Sequence, residues 1–216
     1  MMALFGDWAV ELPYYRLRET ELDGIPLVVA RTGYGGEFGY EIYLRDSRYG
    51  ERLWDMIMAA GDDYDIGPSA SSPRRIEAGI MSYGADITRE DNPFHVGLGR
   101  LVHLDKAADF IGKEALIRAK QNGVDRKLVG VEIDINPSHD VPTERWPVID
   151  DDGARIGEAR SRAYSPRLKK YIGYAMLPIA LTPEGTRVRL SAEWASAAAT
   201  VVALPFIRSR ARAPAT

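Results

Sequence analysis

The residues of this 216-residue sequence best suited to chemistry are carboxylates and tyrosines around a glycine-rich turn, since it contains no cysteine and only three histidines. Without thiols, disulfides, thiolate metal sites and a cysteine nucleophile are excluded. His95, His103 and His139 are not spaced as i, i+4 ligands on a helix, so no metal site is expected. The turn is Arg31-Thr-Gly-Tyr-Gly-Gly-Glu-Phe-Gly39, with four glycines. Glu37 lies inside it, Tyr34 near its tip, and Tyr40 and Glu41 directly after it. A carboxylate on a strand can accept two parallel bonds from neighbouring donors; the alternative for Glu41 is an ordinary solvent-facing strand glutamate. Glu37 either touches a ligand, serves the loop backbone or faces water. Tyr34 and Tyr40 offer flat apolar bodies with polar tips, for an aromatic ligand or for strand packing. The glycines permit close backbone approach or only satisfy turn geometry. A phosphate-binding loop is rejected, because a strand rather than a helix follows and no Lys-Ser or Lys-Thr closes the turn. His95 either shuttles protons near neutrality or makes local hydrogen bonds.

The elements that must position these groups fall into two textures. Ile25–Ala30 is a short apolar run and Tyr40–Leu44 alternates among β-formers, so the two predict a hairpin whose tip is the glycine-rich turn. Asp46 and Ser47 can cap a following helix, with Leu53, Trp54, Ile57 and Met58 on its apolar stripe and Gly61 at its end. A second helix opens at Ser71 or Ser72 with Pro73 in its first turn, burying Ile76 and Ile80. Asp109–Arg118 runs from a turn into a short helix. From Lys127 the chain reads as short strands at Leu128–Ile133, Val148–Ile149, Ala154–Ala163, Tyr171–Leu177, Thr186–Leu190 and Thr200–Leu204, a small antiparallel barrel. The fold class is therefore α+β, with a first domain over 1–122, a β-barrel over 123–208 and a disordered tail over 209–216.

Hydrophobic residues are 45% of the chain, charged residues 27%, and the net charge is −3. That is an ordinary globular balance, with no basic excess to suggest a nucleic-acid partner. No apolar run has the length of a membrane span, and the first residues lack the regions of a signal peptide. A cytoplasmic location is expected.

Six segments in order resemble the glycine-cleavage T-protein family: Arg31–Ile42, Arg75-Ile-Glu-Ala-Gly79 with Tyr83-Gly84, Asn92–Leu98, Phe110–Leu116, Ser165-Pro166 and Leu204-Pro-Phe206. That family comprises the aminomethyltransferase of glycine cleavage, related demethylases and the folate domains of dimethylglycine and sarcosine enzymes. The resemblance implies tetrahydrofolate as cofactor, a folate region closed by a C-terminal barrel, and nucleophilic attack of a folate nitrogen on an activated carbon. It also implies roles for particular residues. Glu41 aligns with the family's folate-binding glutamate, whose two oxygens match the ring N–H and exocyclic amine of a pterin edge. Tyr83 aligns with a tyrosine near the site, lining it or lying in the core. Ser71 stands where relatives often carry an arginine for the folate tail, so either that contact is lost or Arg74 supplies it; Arg75 matches an arginine of structural type.

Only the latter part of the family's folate region is matched. The earlier part, carrying an aspartate beside the reactive nitrogen, has no counterpart here, so no catalytic residue is assigned. The resemblance thus implies a C-terminal portion that completes its site with an N-terminal half or a second copy, leaving an apolar face uncovered on the hairpin unit. The alternatives are a non-catalytic folate-binding module and a chain without function alone. The donor is a small molecule carrying a methyl or aminomethyl group. Gly35, Ser71 and Asn92-Pro-Phe94 drift from the aminomethyltransferase wording and lean towards demethylation.

Overall fold

The structure, a computed structural model, describes residues 1–64, 66–67, 72–135, 145–192 and 195–211. By contacts the chain forms two compact units, Met1–Ser71 with Ser209–Thr216, and Ser72–Arg208.

In the first unit, β1 (Leu17–Leu22), β2 (Ile25–Ala30) and β3 (Glu41–Leu44) form an antiparallel sheet in that order. Asp23 and Gly24 join β1 to β2, both with positive φ (49° and 75°), the backbone shape that matches the twist of a two-residue hairpin. Ile25, Leu27 and Val29 alternate onto one face and are at most 1% exposed. Against them pack Phe5 of α1 (Met2–Phe5), Ala9 of α2 (Asp7–Glu11) and Leu53 of α3 (Gly50–Ala59), together with Ile42 and Leu44 of β3. The Asp46 carboxylate accepts the Arg48 N–H at 3.0 Å and caps a 3-10 turn over Ser47–Tyr49 that leads into α3. The apolar stripe of α3 differs from expectation. Leu53, Met56 and Ile57 face the sheet, whereas Trp54 is 51% exposed. The i, i+3, i+4 spacing from Leu53 decides this, since the neighbouring position turns about 100° away. Leu17 and Tyr43 are likewise exposed.

The second unit is built on a closed barrel. Its strands are β4 (Arg126–Ile133), β5 (Trp146–Ile149), β6 (Arg155–Ser165), β7 (Lys170–Pro178), β8 (Arg187–Ala192) and β9 (Ala195–Val202). The order β4-β7-β6-β5-β8-β9 closes through antiparallel pairing of β9 with β4. Val131, Trp146, Val148, Ala159, Leu177, Leu190 and Ala199 fill the interior, each at most 1% exposed. Gly173 and Gly157 let β6 and β7 approach closely: a Cβ on either would lie 2.5 Å from a backbone oxygen of the facing strand.

β7 is buried on both faces, which explains its unbroken apolar run. Tyr171, Ala175 and Leu177 point into the barrel, while Ile172, Tyr174 and Met176 meet Ile76 of α4 (Ser72–Glu77) and Val96 outside it. The segment after α4 is therefore fixed to the barrel wall, and by contacts the chain divides at residue 72, whereas the barrel strands begin at Arg126. The Ser71 alternative for the helix start lies outside the described residues, as does His139. A further helix, α5, spans Lys113–Asn122. Among the described residues no helix is long and apolar enough to cross a membrane.

Three buried carboxylates hold this segment on the barrel. Asp86 pairs with Arg75 and accepts the Ser161 N–H of β6, Glu77 pairs with Ser165 and Arg167, and Asp91 with Arg160. Arg75 thus has the structural role expected of it, donating to Asp86 at 2.6 Å and to the Ser161 hydroxyl at 2.8 Å. Burial alone would raise the Asp91 carboxyl, but bonds from Arg160 and Thr88 with the Arg160 charge outweigh it and hold the pKa below the ordinary range. A folded-state pKa below the unfolded value of about 3.9 means stability present above that pH and lost as pH falls through the folded value. Urea midpoints followed from pH 6 to pH 2 should therefore drop below about pH 4, and Asp91→Asn should flatten that limb. An acid limb unchanged by the substitution would exclude Asp91 as its source.

Candidate functional site

The glycine-rich turn is folded around a buried cation. Arg31, just past β2, is 3% exposed. Its guanidinium lies 3.5 Å from the Phe38 ring centroid, 5.4 Å from that of Tyr40 and 5.8 Å from that of Tyr14. Nη1 donates to the Gly39 carbonyl at 3.1 Å. Such a desolvated cation against aromatic faces is a strong local anchor. The Tyr40 hydroxyl donates to the Ala9 carbonyl at 2.7 Å, tying the end of the turn to α2; burial raises its pKa, with Arg31 opposing. Tyr40 is thus a packing residue.

The middle of the turn is held from the far end of the chain. The Gly36 carbonyl accepts the Arg210 N–H and the Ser209 hydroxyl, each at 2.8 Å, and Ala211 is buried. Residues 209–211 of the expected disordered tail are therefore bound to the loop, and residues 212–216 lie outside the described residues.

Glu41 opens β3 opposite Ala30. Ile42 and Leu44 face the core, so Glu41 and Tyr43 share the opposite face of the sheet. Glu41 is half-buried. The Thr32 and Tyr43 hydroxyls both donate to its Oε2, the latter at 3.1 Å. Among the described residues Oε1 accepts no hydrogen bond. The bond to Glu41 and then its charge raise the Tyr43 phenol above its usual pKa. The result is a carboxylate oriented from one side, with one oxygen left to accept.

Glu37 is half-buried and Tyr34 is 42% exposed, both on the same turn. The remaining candidates belong to the other unit. Arg74 is an exposed residue of α4, and Tyr83 is 70% exposed beside an isolated bridge to Ile87. His95 makes local contacts: Nδ1 accepts the Asn92 N–H at 3.1 Å, and Nε2 lies 3.5 Å from the Asp125 carboxylate. Sequence reasoning missed Arg31, Thr32 and Tyr43. The register of the hairpin, which sets Ala30 against Glu41, is the signal that would have brought Thr32 beside Glu41. Among the described residues no group of three His, Asp or Glu side chains could hold a metal ion.

Comparison with known proteins identifies the family. Residues 2–106 match the family model of the GCVT N-terminal domain, and residues 126–207 that of the glycine cleavage T-protein C-terminal barrel domain. The chain belongs to the glycine cleavage T-protein family. Among its T-protein relatives, an aminomethyltransferase of Symbiobacterium thermophilum is 38% identical over 91% of this chain and 52% of its own length. One of Bacillus mycoides is 35% identical over 92% of this chain and 54% of its own. The crystal structure of glycine cleavage system aminomethyltransferase T from Bartonella henselae superposes with a TM-score of 0.75 at 27% identity, covering 93% of this chain and 54% of that one. This T-protein chain thus spans about half the length of the curated relatives it matches.

Proposed function

We propose that this chain supplies the cofactor-reading part of a cytoplasmic, tetrahydrofolate-dependent one-carbon transferase. The observation carrying the reading is Glu41: a half-buried strand carboxylate oriented by two hydroxyls, with Oε1 still able to accept. A pterin edge presents two adjacent donors, and a carboxylate of this kind is their complement. The residues present therefore fit the cofactor, with Tyr34 and Glu37 on the adjoining turn as further contacts. Arg74 and Tyr83 belong to the other compact unit and carry no part of this proposal.

Tetrahydrofolate, when bound, supplies the nitrogen that accepts the one-carbon group. The work of Glu41 would be orientation: its carboxylate would hold the donors of the pterin edge and so position the cofactor for transfer. The turn anchored by Arg31 keeps Glu41 from shifting. Of the methyl and aminomethyl donor classes, the names of the matched relatives support an aminomethyl donor. Proton management at the nitrogen falls to the family's earlier aspartate-bearing segment, which no stretch of this sequence matches. We therefore propose that transfer needs that segment, while cofactor binding does not.

Calorimetric titration of tetrahydrofolate into this chain tests the reading, with aminomethyl transfer assayed in parallel, with and without the N-terminal half of a T-protein relative. Saturable binding by the chain and turnover only with the added half are expected. Absence of binding in both conditions would overturn the assignment, and binding without turnover in both would make the chain a folate-binding module.

A further inference from the structure

The two hydroxyls on Glu41 differ in kind. Thr32 sits at the root of the turn, half-buried, with a β-branched side chain that is stiff about χ1. Tyr43 is 52% exposed on the open face of the sheet, and its phenol has water to return to. Both donate to the same oxygen, Oε2. A carboxylate offers about four acceptor positions, two on each oxygen. Oε2 is therefore full, and Oε1 is open. A ligand presenting two adjacent donors finds a ready acceptor at Oε1 and an occupied one at Oε2. One hydroxyl must yield before the second bond forms, and the more exposed phenol is the one that returns to water at the lower cost.

We infer that Thr32 is a positioning residue that fixes the Glu41 carboxylate, and that Tyr43 is a placeholder that occupies Oε2 until a ligand with two adjacent donors displaces it. The inference rests on the tetrahydrofolate reading of Glu41. It assigns opposite signs to the removal of two hydroxyls bonded to one atom. Without Thr32 the carboxylate swings between rotamers and part of the binding energy goes into ordering it. Without the Tyr43 hydroxyl both oxygens stand ready, with Thr32 still holding the side chain.

Tetrahydrofolate titration of the full chain, with thermal unfolding to confirm folding, tests this directly. Thr32→Val should weaken binding roughly tenfold, the scale of one hydrogen bond to a charged group, and Thr32→Ser should restore most of it. Tyr43→Phe should tighten binding. In a Glu41→Gln background Thr32→Val should add nothing. If the wild-type chain binds while Thr32→Val binds equally well, or Thr32→Ser fails to rescue, Thr32 does not position Glu41. Weaker binding by Tyr43→Phe would show that the phenol is a support rather than a placeholder. A wild-type chain that binds no tetrahydrofolate removes the underlying reading and this inference together.

Discussion

Asp86→Ala is expected to lower the unfolding free energy by about 3–5 kcal/mol, the cost typical of removing one partner from a buried ion pair. Asp86 is fully buried, and its carboxylate accepts from Arg75 at 2.6 Å, from the Ser82 N–H at 2.8 Å and from the Ser161 N–H at 3.3 Å. Removing it strands the guanidinium of the buried Arg75 beside β6, where among the described residues only the Ile80 carbonyl and the Ser161 hydroxyl accept from it. Replacing both charged partners at once, Arg75→Met with Asp86→Leu, should cost less than Asp86→Ala alone, because no bare charge remains. Urea denaturation at neutral pH measures both. A loss under 1 kcal/mol for Asp86→Ala, or a double variant that loses more than Asp86→Ala alone, would contradict the pairing.

Glu41→Ala is expected to weaken tetrahydrofolate binding by about 1–3 kcal/mol, since the donors of the pterin edge would be desolvated without an acceptor. That corresponds to roughly ten- to over a hundredfold in Kd. Glu41→Gln should also bind poorly, because the amide turns one acceptor into a donor facing a donor. Stability should change little in either variant, since the two hydroxyls left behind are not deeply buried and can turn to water. Calorimetry with wild-type-like unfolding midpoints isolates the effect. Unaltered affinity in Glu41→Ala would mean that the carboxylate does not read the ligand.

The barrel was legible because its strands alternate and are punctuated by turns such as Asp150–Gly153. Where that pattern weakens, the reading slips. The last strand is expected over Thr200–Leu204 but runs over Ala195–Val202, because its early positions are alanine and serine, which signal no strand. β1 was not anticipated: Leu17-Arg-Glu-Thr-Glu-Leu22 has four polar residues in the middle, and its only marker is the Asp23-Gly24 turn. The strand forms because β2 has an edge to satisfy, a tertiary demand that overrides propensity.

Family membership, the barrel and the candidacy of Glu41 came from local residue order: a glycine-rich turn, an alternating strand and punctuated apolar runs are short-range patterns that a chain carries wherever it folds. Only the tertiary structure decided which charges neutralise one another and which hydroxyls orient Glu41. Arg160 meets Asp91 across 69 positions, and Arg75 meets Ser161 across 86. Such pairings depend on strand register and on which outer barrel face a segment covers, quantities set when the apolar cores close and not by any neighbouring residue.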